Sequence, residues 1–240
     1  MRNIFALALA AAFAAATPLF AQDYAAIIAA PDRAESDRQT DQRRDPLKLL
    51  AFTGVRSGMT VLDMGAGGGY STELMARAVG PDGRVFGQDY ESGARAKERF
   101  EARMKSDAMK NVVVLARPFD DPLPEGVGNL DLITFFFFYH DTTYMTVDRT
   151  AMNKKLFAAL KPGGLLIVAD HSAKAGAGTS VGKTLHRIEE SALRGEVEAA
   201  GFKLVAEGDW LRHPEDPRDE RVFQPKVRVD EFVLKFQKPN

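Results

Sequence analysis

Three alternating glycines behind an acid give this chain its chemistry. The stretch runs Val61-Leu62-Asp63-Met64-Gly65-Ala66-Gly67-Gly68-Gly69-Tyr70. Val61, Leu62 and Met64 flank Asp63 with apolar side chains, as in a buried strand that opens into a loop. Glycine accepts φ > 0 and lets backbone approach a ligand closely. A helix expected from about Ser71 to Val79 would aim its unpaired N–H groups and positive dipole end back at that loop. The arrangement suits a nucleotide-like cofactor. A phosphate-binding P-loop would end in Gly-Lys-Ser/Thr, whereas this loop continues Gly69-Tyr70-Ser71 without a lysine. The dinucleotide fingerprint requires Gly or Ala where Tyr70 stands. No tyrosine of the chain has a lysine four residues on, which leaves an NAD-dependent oxidoreductase as a distant alternative.

Proton chemistry would fall to histidine, of which the chain has four. His140 follows an expected strand and sits beside Asp141; His171 follows the next and sits beside Asp170. Both belong at the carboxyl edge of a sheet, where ligands bind. An imidazole there can remove a proton from an acceptor. We therefore expect His140 as base or orienting group, Tyr139 as a pocket wall, and His171 as second in line. His186 is expected at the start of the last helix and His213 in a polar loop. His140, Asp141, Asp170 and His171 could converge on a metal. The oxygen-rich set that magnesium prefers is not evident, and no metal ligands are assigned. Arg38, Arg44, Arg187 and Arg212 could anchor an anionic group or could simply pair with neighbouring acids.

These side chains need a scaffold. Asp45-Pro46 reads as a helix start, with Asp as cap and Pro in the first turn, and the helix runs from Leu47 to Phe52. Strands are expected at Thr60–Met64, Arg84–Gln88, Val112–Leu115, Leu130–Phe138 and Leu165–Ala169. Helices are expected over Ala94–Met109, Met152–Leu160 and Leu185–Ala200. Val205–Trp210 and Glu231–Phe236 close the set. Alternation of this kind predicts βαβ units, hence an α/β, Rossmann-like doubly wound fold: a mainly parallel seven-stranded sheet with helices on both faces. The run Phe135-Phe136-Phe137-Phe138-Tyr139 fits a central strand buried on both sides. It carries none of the interleaved basic residues of a nucleic-acid platform.

The whole chain has 240 residues, a net charge of −1 and no cysteine. That excludes disulfides, thiolate metal sites and a global basic field for nucleic acid. Arg2, the apolar run Ile4–Ala16, the Thr17-Pro18 break and Ala21 have the layout of a secretory signal peptide over residues 1–21, cleaved after Ala21. The expectation is a periplasmic or secreted protein without a membrane span after cleavage. Residues 22–45 form a charged arm, read as a solvated face, and 46–240 the main domain.

Asp63-x-Gly65-x-Gly67-x-Gly69 resembles the first motif of class I SAM-dependent methyltransferases. Asp89, which ends the second expected strand, sits where that family places an acid on the ribose hydroxyls. Phe119-Asp120 stands where the family clasps adenine, and Lys161-Pro162-Gly163-Gly164 is similar to its turn before the fifth strand. The resemblance runs from about Pro46 to Phe236. It implies S-adenosylmethionine as cofactor, held by Asp63, Gly65, Ala66, Gly67, Gly69, Tyr70, Asp89, Tyr90, Phe119 and Asp120. The implied activity is methyl transfer to an unidentified small-molecule acceptor; a non-catalytic nucleoside-binding module is the alternative. More narrowly, the chain resembles a group of predicted methyltransferases with signal peptides. The shared traits are the Arg38…Asp41…Arg44…Pro46 arm, Gly69-Tyr70-Ser71-Thr72-Glu73, Tyr139-His140-Asp141 and Ala169-Asp170-His171.

Overall fold

A computed structural model describes residues 22–90 and 92–240; the signal peptide expected over 1–21 lies outside the described residues. Seven strands form one sheet: β1 (Thr60–Met64), β2 (Arg84–Gln88), β3 (Val112–Leu115), β4 (Leu130–Phe136), β5 (Leu160–His171), β6 (Lys203–Gly208) and β7 (Glu231–Gln237). Their order is β3-β2-β1-β4-β5-β7-β6. The first five strands pair in parallel, and β7 runs antiparallel between β5 and β6. The strand order reverses between β1 and β4, the switch point at which such sheets bind ligands.

Alternate side chains of β1 and β4 feed two cores. Leu62, Met64, Ile133 and Phe135 join one, with Met152 and Leu156 of helix α6 (Arg149–Ala159) and Leu193 and Val197 of α8 (Glu190–Ala199). Val61, Leu132 and Phe136 join the other. There they meet Leu49 and Leu50 of α3 (Pro46–Thr53), Leu74 and Val79 of α4 (Tyr70–Val79) and Phe100 of α5 (Ala94–Arg103). Apolar residues on both faces of a strand are what a parallel sheet covered on both sides demands.

Several boundaries differ from expectation. The long helix after β2 stops at Arg103, and Asp107–Met109 is a separate 3-10 turn whose start is capped by Ser106 Oγ. β4 ends at Phe136, because Phe137 turns to φ +58°; its N–H still donates to the Ala169 carbonyl at 2.6 Å. Lys161-Pro162-Gly163-Gly164 lies within β5, where Gly163 N donates to the Lys238 carbonyl. The last expected helix is two, α7 (Gly182–Leu185) and α8. His186 therefore does not open a helix but closes α7, in the left-handed region at φ +55°.

The charged arm folds as α1 (Tyr24–Ala29) and α2 (Glu35–Arg44). Asp45 ends α2 and caps α3 by accepting from Lys48 N at 3.3 Å, with Pro46 in the first turn. The arm is no solvated face. Arg33 and Asp37 are buried, and Tyr24 donates to the Val55 carbonyl at 2.6 Å. No helix of the described residues is long and apolar enough to cross a membrane.

Candidate active site

Gly65, Gly67 and Gly69 all adopt positive φ, from +53° to +80°. The loop is held from beneath. Gln88, fully buried at the end of β2, accepts from Gly65 N at 3.1 Å and donates to the Arg117 carbonyl at 2.6 Å. Its own carbonyl accepts from Ala66 N at 2.8 Å. Asp63 is fully buried too, but it bonds no glycine. It accepts from Ser71 and Thr72 hydroxyls at 2.8 and 2.7 Å, and from Thr134 at 2.6 Å. Burial pushes its carboxyl up and the three hydroxyls pull it back. Asp63 thus ties β1 to α4 and β4, and sets the loop from below.

Above the loop lies a cleft of about 660 Å³, walled by Gly65–Gly68, Tyr70, Arg44, Phe136–Phe138 and the arm. Ion pairs fix the arm there. Arg33 grips Asp41 through two nitrogens at 2.7 and 2.9 Å, and Asp41 also accepts the Tyr70 hydroxyl at 2.7 Å. Arg103 grips Asp37 at 2.6 and 2.9 Å, pairs with Glu73, and donates to the Gly68 carbonyl at 3.1 Å. One guanidinium thereby joins arm, helix α4 and glycine loop. Arg44 differs: no acid partners it among the described residues. Its guanidinium lies 4.4 Å from the Phe137 ring centre and 5.4 Å from that of Tyr70. Burial and Arg43 pull its pKa below the usual arginine range.

The other expected cofactor contacts are scattered. Asp89 stands at the end of β2 with its Oδ1 buried and without a hydrogen-bond partner among the described residues. Burial pushes its carboxyl up. Tyr90 is exposed beside it. Phe119, expected at the adenine, lies buried. It is core, stacked between Phe135 at 6.1 Å and Phe138 at 5.1 Å. Asp120 also lies elsewhere, accepting from Asp148 N at 3.2 Å ahead of α6. Phe138 covers Gly65 so closely that a Cβ there would stand 2.9 Å from its ring.

A family model described as methyltransferase domain matches residues 55–205. The chain belongs to this methyltransferase family. It is 28% identical over 199 residues to demethylmenaquinone methyltransferase of Lactococcus lactis, covering 80% of this chain and 73% of that one. It is 30% identical over 120 residues to the ubiquinone/menaquinone biosynthesis C-methyltransferase UbiE of Klebsiella pneumoniae, covering 50% of this chain and 45% of that one. The crystal structure of a SAM-dependent methyltransferase from Aquifex aeolicus superposes with a TM-score of 0.61 at 20% identity, covering 84% of this chain and 96% of that one. This methyltransferase is thus of class I, and its cofactor is S-adenosylmethionine.

The histidines of the methyltransferase differ in their distance from the cleft. His140 is 3% exposed and does not line the cleft. Its Nδ1 donates to Asp170 Oδ1 at 2.7 Å, and its Nε2 lies 3.1 Å from Asp141 Oδ1. Burial pulls the imidazole down, but Asp170 and Asp141 outweigh it and lift the pKa to about 10. Tyr139 corrects in the same sense: it is fully buried, and its hydroxyl bonds Glu196 at 2.8 Å and Asn153 at 2.7 Å on the helix side of the sheet. His171 lies closer to the cleft, its ring 5.2 Å from that of Phe137 and its Nδ1 2.9 Å from Glu231 Oε1. Among the four arginines proposed as anchors, Arg187 pairs with buried Asp216, Arg212 with Glu190, and Arg38 bonds the Ala30 carbonyl. Gln88 and Arg103 escaped the sequence reading. A glutamine inside a strand otherwise apolar was the available signal for the first.

Proposed function

We propose that the cleft over the glycine loop binds S-adenosylmethionine and presents its methyl group to a small, flat, apolar acceptor. The carrying observation is an unpaired arginine, Arg44, set between aromatic rings in a cleft floored by glycine backbone. Asp89 fits the ribose, because it ends β2 and its buried Oδ1 has no hydrogen-bond partner among the described residues, while Ser92 and the Tyr90 backbone hold the carboxyl. Gly67 fits a close approach: a Cβ there would meet nothing nearer than 3.9 Å, so that face of the loop opens to the cleft. Arg44 suits a carboxylate, which a planar guanidinium holds at two points.

The cofactor supplies an electrophilic methyl on a sulfonium leaving group. What remains for the chain is position and dryness. Phe136, Phe137 and Phe138 give an apolar wall, and the arm covers the cleft. The names of two relatives, one a demethylmenaquinone methyltransferase, make quinols the first acceptors to try. If the acceptor must lose a proton, His171 with Glu231 behind it is the nearest imidazole beside a cleft residue. We also infer export, from the leader-type layout of residues 1–21; cell fractionation that finds uncleaved chain in the cytoplasm would overturn it.

Calorimetry of the full chain with S-adenosylmethionine tests the cofactor site. Binding that is lost in Asp89→Ala supports it, and absence of heat from the unsubstituted chain overturns it. A labelled-methyl screen over quinols and other phenols then tests transfer.

A further inference from the structure

Behind Phe137 and His171, on the far side of the β4 exit from the cleft, three side chains meet that methyl transfer does not employ. Asp141 Oδ1 lies 3.1 Å from His140 Nε2 and 3.1 Å from His186 Nδ1, and the two ring nitrogens are 3.3 Å apart. We propose that His140, Asp141 and His186 are a binding site for a divalent transition cation of the zinc or iron(II) kind. It stands whether or not the chain transfers methyl groups.

The separations carry the first argument. Donors bonded to one tetrahedral zinc at about 2.0–2.1 Å stand about 3.3 Å apart, and donors at right angles stand about 2.9 Å apart. Three donors mutually separated by 3.1 to 3.3 Å therefore fit the vertices of one coordination face. Two imidazoles and one carboxylate select a borderline transition ion over magnesium or calcium, which take oxygen. Three protein donors leave at least one coordination position for water or another ligand.

The surroundings carry the second. A metal-binding histidine donates its other N–H to a carboxylate or carbonyl, which fixes tautomer and ring orientation. His140 does so to Asp170, a fully buried acid that also accepts from His140 N and His171 N, each at 2.8 Å. That leaves Nε2 facing Asp141 and His186, where a bound cation would replace the ring proton and release it to solvent. Asp141 in turn accepts the Tyr144 hydroxyl at 2.5 Å. The third donor is brought in by the end of α7. His186 closes that helix in the left-handed region, at φ +55°, and its Nδ1 lies 3.1 Å from Asp141 Oδ1. Gly182, one turn earlier, lets α7 sit against the β4 exit: a Cβ there would lie 2.8 Å from the His140 carbonyl and strike Thr143 Oγ1.

The test uses untagged full-length chain, stripped with a chelator and titrated with cobalt(II) as a spectroscopic probe, then with zinc in competition. We expect one equivalent of cobalt with visible d–d absorption of a low-coordinate site, displaced by zinc. His186→Ala, at a half-buried position, and Asp141→Ala should each weaken binding by at least about tenfold, the size of loss typical even for groups that only support a ligand. Circular dichroism establishes that each variant is folded. Gly182→Val should weaken binding without removing any donor. Cobalt that does not bind, or binds equally well to folded His186→Ala and Asp141→Ala, overturns the proposal; His140 is then only an imidazolium between two acids. Calorimetry with S-adenosylmethionine on the same variants keeps the two sites apart, since loss of cobalt with retained cofactor binding belongs to this site alone.

Discussion

The proposed cofactor site turns on two residues, Arg44 and Asp89. Arg44 has aromatic faces but no acid, so whatever carboxylate it meets must come with the ligand. Arg44→Ala should weaken S-adenosylmethionine binding by about 1.5–3 kcal/mol, roughly 10- to 150-fold, while leaving the melting temperature nearly unchanged. Arg44→Lys should restore little, because a point charge does not reproduce the fork; calorimetry on both variants checks this. Asp89 predicts a pH dependence. If Asp89 holds the ribose as proposed, binding needs its carboxylate, and burial raises that group's pKa above the ordinary aspartate value of about 3.9. Affinity should therefore decline as pH falls, starting at a higher pH than an exposed aspartate would give. Asp89→Asn should bind weakly and without that dependence. Both residues were nameable from sequence, Asp89 by its place after β2 and Arg44 only as one of four arginines. What separated Arg44 from Arg187 was pairing across 29 residues to Asp216, which spacing along the chain does not report.

At the level of elements, α2 shows how a helix without an apolar stripe can still be built in. Its ten residues, Glu35–Arg44, contain no large hydrophobic side chain. They are held by Arg33–Asp41 and by Arg103–Asp37, whose side chains are 11% and 7% exposed. Removing one member of a buried pair leaves an uncompensated charge. Arg103→Ala strands buried Asp37, while Glu73 keeps Arg77, and should cost about 3–5 kcal/mol in urea unfolding, with loss of cofactor affinity as Gly68 is released. Patterning rules look for hydrophobic periodicity, so they assign such a helix to solvent; only long-range partners reveal it. The same blindness explains α7 and α8. Leu185–Ala200 has helical composition throughout, but His186 and the Ser172–Ile188 bridge across to β5 divert the chain before Glu190. The strands were more legible. β1, β2 and β3 fall where apolar runs placed them, β3 as the sheet's edge strand with Val113 and Val114 exposed. The Lys161-Pro162-Gly163-Gly164 turn was absorbed into β5 because its backbone finds Lys238 to pair with.

Over the whole molecule, alternation of strands and helices was enough to predict a doubly wound sheet, and the family match over 55–205 agrees with it. The position of β7 was not legible: nothing in Glu231–Gln237 announces that it enters between two strands already made. That position governs the order of assembly. β7 supplies pairing to both β5 and β6, and Phe232, Val233, Leu234 and Phe236 complete both cores. Until residue 237 has left the ribosome, β5 lacks a neighbour on one side, β6 has none, and both edges are open to unwanted pairing. Nascent chains arrested with residue 225 outside the ribosome should be digested rapidly by protease, and chains arrested with residue 240 outside should resist it. Equal resistance of the two would show that the sheet closes without β7. If the sheet closes only with β7, the chain stays threadable until its synthesis is nearly done, which is the state a translocation channel would require if the chain is exported as proposed.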